Sequence, residues 1–313
     1  MSVDLRDALF DTVYELAARD PRVVFLTADA DAHSLQRFKT DFPERFINVG
    51  VAEQNMVTVA TGLALSGKRV FMYAILSFAT MRCFEQIKFN ICGMNLPVTI
   101  IGLGTGFSFE FDGPTHHGVV DVGVMRMLPE IAIYNPSSAA LAAHCVRTAY
   151  ESGTPALIRL DKGLHPVHEL DDDARRHGFH TVVPGRRLCL VATGVMVHAA
   201  VVAADLLRSR DQAPAVLDVW RLKPLDVPAL TDALAGFDAI VSIEEHVLNG
   251  GLGTLLAELR ADVDARWRLL RLGVPDVQSL VYGTRPWLLA HYGLDAPAVA
   301  DTVGRWCAHR PGQ

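Results

Sequence analysis

The chain has 313 residues, half of them hydrophobic, and carries a formal net charge of −6 from 29 basic and 35 acidic side chains. Acids and bases are interspersed, which argues against a basic stripe for nucleic acid or a membrane surface and leaves small molecules or proteins as partners. The length suffices for about two domains of ordinary size, each with its own core.

The first stretch, MSVDLRDALFDTVYELAARD, has helical periodicity and several charges rather than the pattern of a signal peptide. No apolar run reaches the roughly 18 residues of a membrane span, so a soluble, unexported, cytoplasmic protein is expected. The runs VVFLTAD (23–29), RFINVGV (45–51), RVFMYAI (69–75), PVTIIGL (97–103), IAIYNPS (131–137) and PALIRL (155–160) read as strands. Between them, EQNMVTVATGLALSG, FATMRCFEQIKFNICG and SSAALAAHCVRTAYESG read as helices, the first and last stopped by glycine. Strands and helices in this alternation predict an α/β fold with a mostly parallel sheet covered on both faces. The text from 164 to about 185 turns polar and loses periodicity, so it reads as a linker or exposed hairpin. A second series follows with LCLVATG, MVHAAVVAADLLRSR, PAVLDVW, DAIVSIEEH, GLGTLLAELRAD, WRLLRLGV and a closing helix DAPAVADTVGRWCAHR. The expected division is a first α/β domain over 1–165, a linker over 166–185 and a second α/β domain over 186–313. Five cysteines, Cys83, Cys92, Cys145, Cys189 and Cys307, lie in apolar segments without a C-x-x-C pair, as reduced core thiols do.

Glu53 in INVGVAEQNM (47–56) follows a strand and opens a helix. That puts a carboxylate at the carboxyl end of a strand, where open α/β sheets place ligands. The alternative is an acid placed against the positive end of the helix dipole. DGPTHH (112–117) is too rich in glycine and proline for a helix. Its adjacent histidines diverge, and no third ligand is spaced for zinc, so no metal is expected there. GLGTG after PVTII precedes no helix and offers no N-terminus to a pyrophosphate. GLGTLLAEL does open a helix, where the glycines suit close packing, and no nucleophile elbow of the hydrolase type occurs.

Taken together and in order, INVGVAEQNM, FATMRCFEQI (78–87), DGPTHH and IEEHVLNGGLG (243–253) resemble the transketolase family. The resemblance covers nearly the whole chain and falls on the family's C-terminal half, a pyrimidine-binding domain followed by a transketolase C-terminal domain. It implies thiamine diphosphate as cofactor. Glu53 would share a proton with N1′ of the cofactor's pyrimidine and so switch on the cofactor's own base, and burial in an apolar wall would favour that sharing. Phe78 matches the ring that stacks on the pyrimidine. Asp29 and Ile75, at two strand ends, fall among the cofactor's surroundings, with a plain turn aspartate as the alternative for Asp29. Asp112 and His116 match the pair that reaches the donor sugar and the cofactor's amino group, with His116 in a catalytic role. His117 stands where relatives carry glutamine. Arg159 and Lys162 in IRLDK are candidates for a donor phosphate, against a solvated strand end, and Arg82 is a third candidate for an anion.

Two departures matter. Gly104 stands where relatives place a basic residue, in a loop whose Phe107, Phe109 and Phe111 alternate at period two and would therefore share one side. No GDG motif occurs in the chain, so the Mg²⁺ and diphosphate are expected on a separate N-terminal subunit, in an α₂β₂ heterotetramer. The expectation is one subunit of a split transketolase that moves a two-carbon ketol unit from a ketose or ketose phosphate to an aldehyde. The alternatives are the β subunit of a 2-oxoacid dehydrogenase E1 component and an acyloin-forming enzyme like deoxyxylulose phosphate synthase. The second domain is expected to serve assembly, with Glu245 and His246 matching its motif without a chemical role.

Overall fold

The β-branched runs of the first half form a seven-stranded sheet in the computed structural model, which describes residues 2–166, 171–278 and 280–309. Its order is Arg221–Lys223, Ala132–Tyr134, Ala156–Leu160, Val98–Leu103, Arg69–Ile75, Val23–Thr27, Phe46–Asn48. Every neighbouring pair is parallel except the first. The central strands are buried along their length, as their unbroken apolar text requires of strands covered on both faces. On one face Met56, Val57 and Ala60 of the helix Glu53–Leu65 join the core; on the other, Leu5, Leu9, Phe10 and Val13 of Leu5–Arg19 pack with Leu141 and Cys145 of Ala139–Ser152. Each such fully buried large side chain contributes about 1.5–3 kcal/mol. Ser138 caps Ala139–Ser152 through the amide of Leu141, and Gly153 ends it in the left-handed conformation at φ +64°.

The second sheet runs Arg268–Val274, Phe237–Val247, Arg187–Ala192, Ala215–Val219, Phe179–Val183, with only the last strand antiparallel. The polar stretch read as a linker thus holds three regular elements among the described residues: the strand Leu164–Pro166, paired with Ser2–Asp4, the short helix Asp172–His177, capped by Asp171, and the edge strand Phe179–Val183. All are short and, apart from the buried Ala174, half-buried or exposed, so none leaves an apolar period in the text. The strand Arg221–Lys223 comes from the second half of the sequence yet completes the first sheet.

The segment FATMRCFEQIKFNIC is helical but wide. Phe78–Arg82 and Ile87–Cys92 are π-helical around a short α turn, Phe84–Gln86. The amide of Gly93 accordingly bonds the carbonyl of Lys88, five residues back, at 2.9 Å. All five cysteines are free, four of them buried. Among the described residues no helix is long and apolar enough to cross a membrane.

Candidate active site

Glu53 is the first residue of its helix and is only 3% exposed. A buried carboxylate needs a partner, and Arg82 supplies one: its Nη1 donates to Glu53 Oε2 at 2.7 Å. The same guanidinium lies 4.0 Å over the ring of Phe78, one helical turn earlier. Arg82, read as a candidate for a substrate anion, is therefore held on the two residues expected to bind the cofactor, while 42% of its side chain remains exposed. The carbonyl of Arg82 accepts from Gln54, which ties the wide helix to the start of the helix Glu53–Leu65.

From Phe78 the contacts run on. His116 meets the Phe78 ring edge to face at 5.0 Å and the Phe109 ring at 5.5 Å. Lys162 Nζ stands 3.8 Å over Phe109. Burial lowers the pKa of Lys162, partly offset by the charge of Asp112 nearby. No carboxylate among the described residues forms an ion pair with its ammonium. His116 Nδ1 is engaged by Thr115 Oγ1 at 2.9 Å, which leaves Nε2 for another partner. Gly104, at φ +102°, makes this cluster possible, because a Cβ there would lie 2.1 Å from the Phe109 ring. The ring fills the place a side chain would take.

Other candidates land elsewhere. Arg159 is buried, and its Nε and Nη2 form a fork on Asp121 at 2.6 and 3.0 Å while Nη2 also holds the carbonyl of Gly118 at 3.1 Å. That guanidinium is committed inside the fold and is not offered to a substrate. The three phenylalanines do not share a side: Phe107 is buried, Phe109 half-buried and Phe111 63% exposed. Their segment is a series of turns ending in the single 3₁₀ turn Glu110–Asp112, so alternation carries no strand geometry. His117 is buried and its Nε2 pairs with the carbonyl of Glu110 at 2.9 Å. Asp112 is exposed on the same loop. Asp29 sits exposed at the end of Val23–Thr27 with φ +59°, clasped by Asn48 through its amide at 3.1 Å and its carboxylate at 3.2 Å. A non-glycine residue in that conformation is uncommon, and such outliers gather at functional sites. Ile75 ends its strand, half-buried, two residues before Ser77, whose hydroxyl donates to the carbonyl of His117.

The second half also touches the site. Glu245 accepts from the amide of Phe107 at 2.8 Å, and Arg285 bridges Glu245 to Asp161. Arg285 belongs to no motif that sequence reasoning singles out, and no local signal marks it. Glu244 spends its carboxylate on the amides of Leu252 and Gly253 at 2.7 Å each; burial pushes its pKa up to about 7 against those bonds. His246 is driven down to about 4 by burial.

A buried carboxylate beside an aromatic ring fits the aminopyrimidine end of thiamine diphosphate, provided that Arg82 shares or yields its place. For a metal-bound diphosphate, no group of three His, Cys, Asp or Glu residues stands close enough to hold an ion among the described residues.

Residues 1–167 match the model of the transketolase pyrimidine-binding domain and residues 178–299 that of the transketolase C-terminal domain. An apulose-4-phosphate transketolase subunit from Phocaeicola vulgatus is 33% identical over 301 residues, covering 95% of this chain and 96% of that protein. 1-Deoxy-D-xylulose-5-phosphate synthase 1 from Geobacter sulfurreducens is 35% identical over 303 residues, and the chain spans 47% of its length. A split-gene transketolase solved as an inactive β4 tetramer superposes with a TM-score of 0.85 at 33% identity, over 97% of this chain and 98% of that one. By its matched domains, its relatives and its fold, the chain belongs to the transketolase family.

Proposed function

We propose that the chain is the C-terminal subunit of a split, thiamine-diphosphate-dependent transketolase, with the pyrimidine-binding unit over 1–165, completed by Arg221–Lys223, and the second unit over 186–313. The partner would carry the Mg²⁺ and diphosphate site, and the two would work in the cytoplasm as an α₂β₂ heterotetramer on phosphorylated sugars. The observation that carries this reading is the unbroken line of contacts from Glu53 through Arg82, Phe78, His116 and Phe109 to Lys162. It lays a buried carboxyl, an aromatic ring, an imidazole and an ammonium along one edge of one sheet.

When bound, the cofactor supplies the nucleophilic carbon that takes up the ketol unit. The protein residues do the rest. Glu53, through the oxygen that Arg82 leaves free, would share a proton with the pyrimidine nitrogen. Phe78 provides the stacking face. His116, its Nδ1 oriented by Thr115, presents Nε2 to a donor hydroxyl. Lys162 offers a point charge to the donor's anionic end, on an aromatic floor in place of a second cation. The name of the Phocaeicola relative, an apulose-4-phosphate transketolase subunit, supports apulose 4-phosphate as donor.

The test is to co-express the chain with a neighbouring open reading frame that encodes GDG and a downstream asparagine. Thiamine diphosphate binding is then measured by calorimetry, and turnover is assayed with apulose 4-phosphate and xylulose 5-phosphate. Cofactor binding that needs both chains, with transfer to an aldehyde, is expected. Tight binding of thiamine diphosphate and Mg²⁺ by this chain alone would overturn the split site, and acylation of a lipoyl domain would redirect the reading to the E1 class.

A further inference from the structure

Glu245 gains a role from its surroundings. It lies 7% exposed on Phe237–Val247. Its Oε1 accepts from the Phe107 amide at 2.8 Å and from Arg285 Nε at 3.0 Å, and its Oε2 accepts from Arg285 Nη2 at 2.5 Å. The same guanidinium reaches Asp161 through Nη1 and Nη2 at 2.8 and 2.7 Å. Asp161 in turn accepts from the amide of Lys162 at 2.7 Å and from the hydroxyl of Thr105. The backbone amide of Arg285 adds a bond to Glu110 Oε1 at 3.1 Å. One planar fork thus fastens two banks: the loop that bears Asp112 and His116, and the strand end that bears Lys162.

The loop is seated on this fork. Gly106 and Gly118 exchange backbone hydrogen bonds of 2.9 Å, closing the loop at its base. Gly106, at φ +56°, presses on the clamp: a Cβ there would lie 2.2 Å from the carboxyl carbon of Glu245. Phe107 packs between His117 at 5.0 Å and Tyr292 at 5.4 Å, and Gly113 lies against the ring of Tyr282. Burial raises the pKa of Asp161, but the charge and bonds of Arg285 outweigh it and leave that carboxyl below its ordinary value. Two buried carboxylates sharing one guanidinium hold a geometry that a lysine, with one point charge, does not reproduce.

We propose that Glu245 and Arg285 are positioning residues of the reaction, setting the distance between the His116 loop and Lys162 so that the C-terminal half shapes the seat of the donor's anionic end. This rests on the function proposed above and replaces a role in assembly alone.

The test uses Glu245→Gln, which keeps volume and one acceptor oxygen, and Arg285→Lys, which keeps charge without the fork. In the complex with its partner subunit, the KM for whichever of apulose 4-phosphate and xylulose 5-phosphate the wild type turns over should rise about tenfold, with kcat within about threefold and the Kd for thiamine diphosphate within about twofold. Arg285→Lys should fall between wild type and Arg285→Met. On the chain alone, amides 107–118 should exchange with solvent at least about tenfold faster in Glu245→Gln while amides 53–65 are unchanged. Unaltered loop exchange would overturn the proposal. So would a joint fall of kcat and cofactor affinity at constant KM, the signature of structural damage. Normal turnover by Glu53→Gln would sink the reading of the site instead, and the exchange result, which needs no turnover, separates the two failures.

Discussion

The carboxyl edges of the two sheets carry similar polar residues and use them in opposite ways. On the second sheet Glu244, Glu245 and His246 are consumed internally, by helix amides, by Arg285 and the Phe107 amide, and by the carbonyl of Val247. On the first, Asp29, Asp112, His116 and Lys162 keep exposed or half-exposed groups with spare bonding capacity; of its buried acids, Asp161 is spent on Arg285 while Glu53 is paired with an arginine that is itself half-exposed. Two sheets of the same architecture are thus told apart by which edge leaves its donors and acceptors unspent.

The sharpest way to break that contrast is Glu53→Gln. An amide cannot share a proton as a carboxyl does, so turnover should fall by about a thousandfold or more while assembly with the partner persists, read by steady-state rates and sedimentation. Near-normal rates would erase the distinction between the edges. Next in size is Arg159→Met, an internal residue that happens to lie on the first sheet. It strands Asp121, which is 0% exposed, and should cost about 3–5 kcal/mol in chemical denaturation, whereas removal of an exposed ion pair such as Arg187 with Asp238 costs about 1 kcal/mol or less.

How far the sequence carries a reader depends on the range of the interaction. The strands Arg69–Ile75 and Val98–Leu103 and the helix Glu53–Leu65 are written in local apolar pattern and glycine stops, and they stand where that pattern puts them. Glu53, Phe78 and His116 are legible through the motifs that surround them. Arg82 on Glu53, Phe109 in the space beside Gly104, and Arg285 between Asp161 and Glu245 join residues that no local period relates. Arg159 shows the reverse: a strand-end arginine in the text, spent on Asp121 across 38 residues. The edge strand Phe179–Val183 is not legible because its half-buried residues, Phe-His-Thr-Val-Val, lack an unbroken apolar run.

Smaller effects sharpen the contrast. Lys162→Met should raise the donor KM about tenfold for a phosphorylated substrate and leave an unphosphorylated one unaffected. Because burial lowers the pKa of Lys162, its charged form is lost at a lower pH than that of an ordinary lysine. Donor KM should therefore climb at a lower pH than an ordinary lysine would produce. A separate effect, on stability against pH, concerns Asp218, buried with one oxygen on Ser137 at 2.5 Å and pushed up to about 8 by burial. The folded state then binds the proton that the unfolded state has released, so the stability this group contributes is complete below the ordinary carboxyl pKa. It is lost as pH climbs to about 8, with a slope of at most about 1.4 kcal/mol per pH unit. Asp218→Asn should flatten the fall of Tm between pH 5 and 8. An unchanged profile would show that this buried acid is not the source.

The strand Arg221–Lys223 carries a lesson about synthesis. As the ribosome releases the first sheet, the edge of Ala132–Tyr134 stays open until more than eighty further residues have emerged, and an unpaired edge is a template for pairing with a neighbouring chain. A fragment cut near residue 185 would keep that edge bare and tend to aggregate, so a gene encoding this chain is not readily shortened to its first half.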